Sequence, residues 1–309
     1  MQVVGRLAPS PTGVLHLGNA RSFLLAWLSV RAAGGRLLMR IEDLDGPRIR
    51  QGAEKECLLD LEWLGLDWDG PIVRQSERQT LYAEALQQLL EQHHAYACLC
   101  SRKEVEQAAS APHIGEEGPI YPGTCRERNL PADASGAAFR FQVPEGVVSF
   151  EDHFCGPCNI SVRKELGDFV IHKRDGQAAY QLAVVVDDIA MGVTQVLRGD
   201  DLLSSAARQI QLGAALHYSM PEFTHVPLVV GEDGRRLAKR HGDTSLRAFR
   251  EQGIVAEEIL GWLAWSCGLQ TDFTPCRAQD LVQSFHLDKL PRQQVVWTGD
   301  LKAPMSWRA

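Results

Sequence analysis

Residues 6–19 read Arg6-Leu-Ala-Pro-Ser-Pro-Thr-Gly-Val-Leu-His-Leu-Gly-Asn19, and this stretch decides the fold. Pro9 and Pro11 fix φ and forbid a helix across the turn. Gly13 gives the backbone room to approach a ligand. From Leu17 an amphipathic run begins, with Phe23, Leu24, Leu25, Leu28 and Val30, and it stops at Gly34-Gly35, a helix C-terminal signal. Arg36-Leu-Leu-Met-Arg-Ile-Glu42 then reads as a buried strand. Strand, tight turn, helix and strand make a βαβ unit whose helix starts beside His16 and Gly18. A helix start offers free N–H groups and a positive dipole end, which suits phosphate. Taken alone, such an opening is equally the mark of ordinary α/β packing.

A second stretch changes the reading: Gly234-Arg-Arg-Leu-Ala-Lys239-Arg240-His-Gly242, a basic, glycine-bracketed loop of the kind a mobile phosphate clamp would use. Pro9-x-Pro11-Thr-Gly-x-Leu-His16-x-Gly18 together with Arg236-Leu-Ala-Lys239-Arg240 resembles the two signatures of class I aminoacyl-tRNA synthetases. Arg6-Leu-Ala-Pro-Ser10, Arg40-Ile-Glu-Asp-Leu-Asp45 and Val196-Leu-Arg-Gly-Asp-Asp201 are similar to the glutamyl branch.

The resemblance implies an α/β enzyme, a ligase. It would have a Rossmann-like nucleotide-binding domain, a zinc-binding insertion and a helical C-terminal region resembling a stem-contact domain. The chain's end at Ala309, soon after the last clear helix, is read as the absence of an anticodon-binding domain. The expected divisions are 1–95 and 166–242 for the two catalytic halves, 96–165 for the insertion and 243–309 for the helical remainder.

By resemblance, ATP with Mg²⁺ meets Pro9, His16, Gly18, Asn19, Arg236, Leu237 and Lys239. His16 donates to phosphate oxygens and Lys239 steadies the pyrophosphate, where charge develops in the transition state. Asn19 stands where the first motif usually has His or Gly. Arg236 and Ala238 stand where the second usually has Lys and Ser, which removes a hydroxyl but keeps the cations.

An amino-acid site needs a carboxylate for the α-ammonium and cations for carboxylates. Glu42 ends a presumed central strand, where α/β ligands bind; by resemblance it takes the ammonium. The same resemblance puts glutamate against Arg6, Leu7, Ala8, Pro9, Ser10, Tyr180 and Arg198. Arg6 would clamp the γ-carboxylate and so select glutamate over glutamine. Tyr180 and Arg198 are expected on two later strands. For Arg198 the competing reading is structural pairing with Asp200 or Asp201.

Eight cysteines sit at 57, 98, 100, 125, 155, 158, 267 and 276. No export signal precedes them, so they read as thiols or metal ligands rather than disulfides. Cys98-x-Cys100 places two thiolates on one turn and Cys125 supplies a third. Tyr121 as fourth ligand comes only from resemblance, to a short relative of glutamyl-tRNA synthetase that carries Cys-x-Cys and then Tyr-x-x-x-Cys. The rival set is Cys98, Cys100, Cys155 and Cys158. Either would hold one zinc ion per chain.

That short branch activates glutamate with ATP without needing tRNA, then transfers it to queuosine at the wobble position of tRNA(Asp). Competing readings are a truncated glutamyl-tRNA synthetase that charges an acceptor end, and a non-catalytic regulator that binds tRNA or nucleotide. The intact set of His16, Lys239, Glu42 and Arg198 argues against the regulator.

Composition agrees with this. The 309 residues are 45% hydrophobic and 23% charged, as in a globular protein able to bury a sizeable core. The net charge of -7 and pI near 5.8 are not those of a general nucleic-acid binder. Local basic patches, Arg163-Lys164 with His172-Lys173-Arg174, and Arg235 to Arg240, would carry any tRNA contact. No run approaches the ~20 apolar residues of a membrane span, so the expected setting is the cytosol, with no membrane partner and a monomeric chain.

The remaining pattern predicts helices over 53–64, 76–94, 202–216, 245–252 and 256–267. It predicts strands over 139–143, 193–198 and 223–230, and a pair of strands around Asp175-Gly176 within 168–187.

Overall fold

A computed structural model describes residues 2–108, 120–237, 244–303 and 305–308. The chain opens with β1 (Val4–Leu7), α1 (Leu17–Ala32) and β2 (Arg36–Ile41), the βαβ unit read from the sequence. Then come α2 (Ala53–Trp63), β3 (Val73–Arg74) and α3 (Gln79–Glu91). The middle of the chain holds β4 (Ala95–Cys98), α4 (Arg102–Ala108), β5 (Ala138–Phe141), β6 (Val148–Asp152), β7 (Gly156–Ile160), α5 (Val162–Glu165) and β8 (Val170–His172). After it run α6 (Tyr180–Ala190), β9 (Gln195–Gly199), α7 (Leu203–Ala215), β10 (Glu222–Val226) and β11 (Val229–Gly231). The last elements are α8 (Leu246–Glu251), α9 (Ala256–Ser266), β12 (Gln294–Trp297) and β13 (Ser306–Arg308).

β1 pairs in parallel with β2, from Val4↔Arg36 to Leu7↔Met39, and β2 pairs with β3. On the other side of β1 lies β9. Thr194 N donates to Val4 O at 2.8 Å, and Val4 N donates to the Thr194 hydroxyl at 2.9 Å. β9 continues in parallel to β10, and the β6–β7 hairpin extends that edge. The order β3-β2-β1-β9-β10 therefore reverses direction between β1 and β9. That reversal opens a crevice at the carboxyl ends of two adjacent strands, where open α/β sheets bind ligands.

Helix α1 covers this junction closely. A side chain at Gly5 would put its Cβ 2.4 Å from Val30 Cγ2, so only glycine lets helix and strand approach this far. On its far side, α1 is tied to α9 by buried Arg21, which donates to Pro227 O and to Ser266 Oγ and O. β4, β5 and β8 form a separate antiparallel sheet.

Three expectations change. Residues 180–190 form a helix, not the second strand of a pair. Gln181-Leu-Ala-Val-Val-Val-Asp-Asp188 is buried on every side, which erases the period that separates helix from strand. Residues 223–230 are two strands in different sheets, broken at Pro227, which cannot donate to a ladder. The C-terminal region is not helical throughout: β12 pairs in parallel with β11, and β13 closes a hairpin on it. Trp297 of β12 packs edge-on against Trp262 of α9 at 5.3 Å, within the same core as α1.

Candidate active site

The crevice is a cavity of about 620 Å³. It gathers Arg6, Ala8, Pro9, Ser10, His16, Gly18, Asn19, Glu42, Tyr180, Arg198 and Arg236, eleven of the expected site residues. Leu7 and Leu237 are buried in the apolar core instead; Leu7 alternates along the chain with Arg6 and Ala8, which face the cavity. Lys239 falls in 238–243, outside the described residues.

The Pro-rich turn is held from below. Glu42 N donates to Pro9 O and Arg50 N to Pro11 O, so the end of β2 is locked beside the turn. His16 is the N-cap of α1. Its Nδ1 accepts from Gly18 N at 3.1 Å and Asn19 N at 3.4 Å, while Asn19 Oδ1 accepts from His16 N at 3.2 Å. A Cβ at position 18 would sit 3.0 Å from His16 Cε1, so the glycine makes room for this ring. Leu17 N donates to Thr244 O and Ala20 N to His16 O.

The start of α1 is therefore not the cluster of free N–H groups expected from the sequence; its donors are used. What it offers is its dipole and one side-chain donor. Nδ1 accepts, so the proton resides on Nε2. Burial and the nearby Arg236 charge lower the His16 pKa to about 4, which keeps the ring neutral. A neutral ring with Nε2–H is the tautomer that donates to a phosphate oxygen.

Arg236 also lines the cavity, with Nη1 on Asp201 Oδ2 at 2.7 Å. Beyond the undescribed 238–243, Ser245 bridges to His16, and Leu246 N donates to Leu15 O at 2.9 Å. The far flank of the basic loop is thus anchored at the N-terminal turn, and the near flank brings Arg236 into the same cavity, although more than 200 residues separate the two motifs in sequence.

Beside these groups lies an array of buried charge. Arg40, fully buried, donates to Glu42 Oε1 at 3.0 Å and to Asp188. Arg6 lies 3.7 Å from Asp188 and donates to Leu197 O at 3.4 Å; its Nε has no hydrogen-bond partner among the described residues. Burial pushes the Glu42 carboxyl above its ordinary value, against the pull of Arg40 and Arg6. A cationic guest would reverse that rise. Tyr180 enters the site from the first turn of α6, not from a strand.

Arg198 does not ion-pair with Asp200 or Asp201 among the described residues; Asp201 is taken by Arg236. Its Nε donates to His225 Nε2 at 3.0 Å, and its Nη2 to Gln209 Oε1 at 2.9 Å and Leu202 O at 3.3 Å. Nη1 is buried without a partner among the described residues.

At the end of β4, the sulfurs of Cys98, Cys100 and Cys125 lie within 4.8 Å of one another, a triad able to hold a metal. The Tyr121 hydroxyl is 3.4 Å from Cys98 Sγ and 3.6 Å from Cys100 Sγ, and accepts from Cys125 N at 2.8 Å. Arg140 donates to Cys98 Sγ at 3.3 Å, placing a cation beside the sulfurs. Burial raises the Cys125 thiol, but donors from Leu99 N and Tyr121 outweigh it and leave the value below normal. Cys155 and Cys158 belong to the β6–β7 hairpin. There Cys155 Sγ reaches His225 O, and neither joins the triad.

The family described as tRNA synthetases class I (E and Q), catalytic domain, matches residues 2–297. This chain belongs to that family. It is an aminoacyl-tRNA synthetase by class, and so a ligase. It is similar to the Glutamyl-Q tRNA(Asp) synthetase of Rhodopirellula baltica, 48% identical over 304 residues, covering 94% of this chain and 92% of that one. The protein of that name from Symbiobacterium thermophilum is 47% identical over 317 residues and is covered for 98% of its length. Among solved structures, a glutamate tRNA ligase from Elizabethkingia meningosepticum, in complex with its amino acid, superimposes with a TM-score of 0.83 at 27% identity. It covers 98% of this chain, and this chain covers 68% of it.

Part of the synthetase's site lies outside its sequence motifs. Gln209 and His225 hold Arg198, Asp152 holds His225, and Asp188 joins Arg6 to Arg40. None belongs to a motif, and Asp152 and His225 are 73 residues apart. A buried histidine on a strand beside an Arg-bearing strand is the one signal available. Among the described residues no helix of the synthetase is long and apolar enough to cross a membrane.

Proposed function

We propose that this synthetase activates L-glutamate with ATP and Mg²⁺ to glutamyl-adenylate without tRNA, and then transfers glutamate to the queuosine base at the wobble position of tRNA(Asp). The observation that carries the proposal is a single cavity holding a neutral His16 donor and Arg236 beside the Arg6–Glu42–Arg198 array. Phosphate-facing and amino-acid-facing groups sit side by side, as joining the two substrates requires. The queuosine step is supported by relatives of that name, matched over 92% and 98% of their own lengths.

In this reading Glu42 holds the α-ammonium, and Arg6 and Arg198 hold the carboxylates. An oxygen of the α-carboxylate attacks the α-phosphorus and pyrophosphate leaves. His16 Nε2–H and Arg236 stabilise the oxygens that gain charge, with Lys239 added from the loop. Mg²⁺ bound with ATP would neutralise phosphate charge. A hydroxyl of the queuosine cyclopentene-diol then attacks the activated carbonyl, AMP leaves and an ester results. No side chain serves as a covalent nucleophile.

The same reading gives the insertion one zinc ion, held by Cys98, Cys100, Cys125 and Tyr121. Three close sulfurs with a nearby oxygen and a compensating arginine suit its tetrahedral preference. It divides the chain into catalytic halves 1–95 and 166–242, the insertion 96–165 and the remainder 243–309.

ATP–pyrophosphate exchange without tRNA tests the activation step. Exchange should require glutamate and fail with glutamine or aspartate. Absence of glutamate-dependent exchange would contradict the reading.

A further inference from the structure

Arg198 is held on two of its three nitrogens by groups outside the amino-acid motifs. On the Nε side stands His225, fully buried on β10, whose Nε2 accepts at 3.0 Å. The His225 Nδ1–H donates to Asp152 Oδ2 at 2.6 Å, and Asp152 Oδ1 accepts from the backbone N–H of Phe154, Cys155 and His225. Asp152 is in turn 1% exposed. On the Nη2 side stands Gln209 of α7, which donates from Nε2 to Gln181 Oε1 at 3.0 Å; Gln181 donates to Ser205 Oγ. Every member of this chain is buried and has a defined donor or acceptor role. The carboxylate fixes the imidazole tautomer, and the tautomer offers the arginine an acceptor where a charged ring would offer a second cation.

The remaining nitrogen, Nη1, is buried with no partner among the described residues, on a residue that lines the cavity and is 6% exposed. An unpaired donor on a buried cation is costly unless a ligand completes it. We propose that His225 and Asp152 are positioning residues for amino-acid recognition: together they lock the Arg198 guanidinium with Nη1 turned to a carboxylate of the substrate. The proposal rests on the amino-acid reading of the cavity. It assigns to the hairpin strand β6 and to β10, neither of which bears a motif residue, a role in substrate affinity.

Two substitutions of one residue separate positioning from bulk packing. In His225→Asn the short amide can still donate to Asp152 but cannot reach Arg198. In His225→Gln the longer amide can present its oxygen to Arg198 Nε. Steady-state exchange is measured for both, and for Asp152→Asn, with glutamate and ATP varied in turn. His225→Asn and Asp152→Asn should raise KM for glutamate by about tenfold, the scale of a hydrogen bond to a charged group. KM for ATP should stay within about twofold of wild type by the same measure. His225→Gln should recover most of the glutamate affinity.

Equal loss in His225→Asn and His225→Gln would overturn the proposal. So would parallel rises in both KM values, which would mean a loosened fold. Unchanged glutamate KM in all three variants of an enzyme whose wild type exchanges would overturn this proposal alone. No exchange in the wild type would overturn the amino-acid reading and this proposal with it.

Discussion

His16 does two jobs with two nitrogens, and substitution can separate them. Nδ1 caps α1 by accepting from Gly18 N and Asn19 N, while in the proposed reading Nε2–H donates to the nucleotide. Asparagine is a strong N-cap, so His16→Asn should keep the cap and lose only the far donor. Alanine loses both. Loss of an N-cap costs about 1 kcal/mol, which in a chain of this size lowers Tm by about 2 °C. His16→Ala should show that drop in calorimetry, and His16→Asn only a few tenths of it. Both should lose about 10²- to 10³-fold in exchange kcat, the usual effect of removing one preorganised donor.

The acid limb adds an independent check. The folded pKa, about 4, lies below the 6.5 of a free histidine. The unfolded chain therefore binds the extra proton first, and stability falls as pH drops from about 6.5 to about 4; above pH 7 the group contributes no slope. The loss is up to about 3 kcal/mol across that window. His16→Asn should flatten this limb. Full exchange activity in His16→Asn, or an acid limb identical to wild type, would refute the assignment of the two nitrogens.

Other consequences follow from single contacts. Cys125→Ser should lower bound zinc from about one ion per chain and reduce Tm, read by metal analysis and calorimetry, since metal binding stabilises the folded site. Glu42→Gln should raise KM for glutamate by about tenfold or more while leaving KM for ATP unchanged in the exchange assay, because it removes the ammonium partner. Gly5→Ala drives a methyl into Val30 of α1 and should destabilise by about 1–3 kcal/mol in denaturant unfolding. Its exchange activity at low temperature should be spared, as the cavity residues are untouched.

Much of the catalytic core was legible because its residues lie in short words whose chemistry is local. Pro9 and Pro11 must turn, Gly34-Gly35 must end a helix, and Glu42 must fall at a strand's end. What escaped reading depended on contacts far apart in sequence. α6 hides its period because Val184, Val185 and Val186 are all buried, so no polar face marks the turn of the helix. Leu7 and Leu237 sit inside motif words yet serve the core; for Leu7 the reason is that a strand sends alternate residues to opposite faces. The capping role of His16 was hidden because its acceptors and donors depend on a rotamer, not on spacing. Asp152 and His225 carry no motif; only the pairing of β10 with β9 and β6 brings them to Arg198.

The most direct test of the account supplies radiolabelled glutamate and ATP to the purified protein with two preparations of tRNA(Asp), one bearing queuosine and one lacking it. Label should enter the queuosine-bearing tRNA only, as an alkali-labile ester in the anticodon loop. Equal labelling of both preparations, or label at the 3′ end, would contradict it and favour charging of the acceptor.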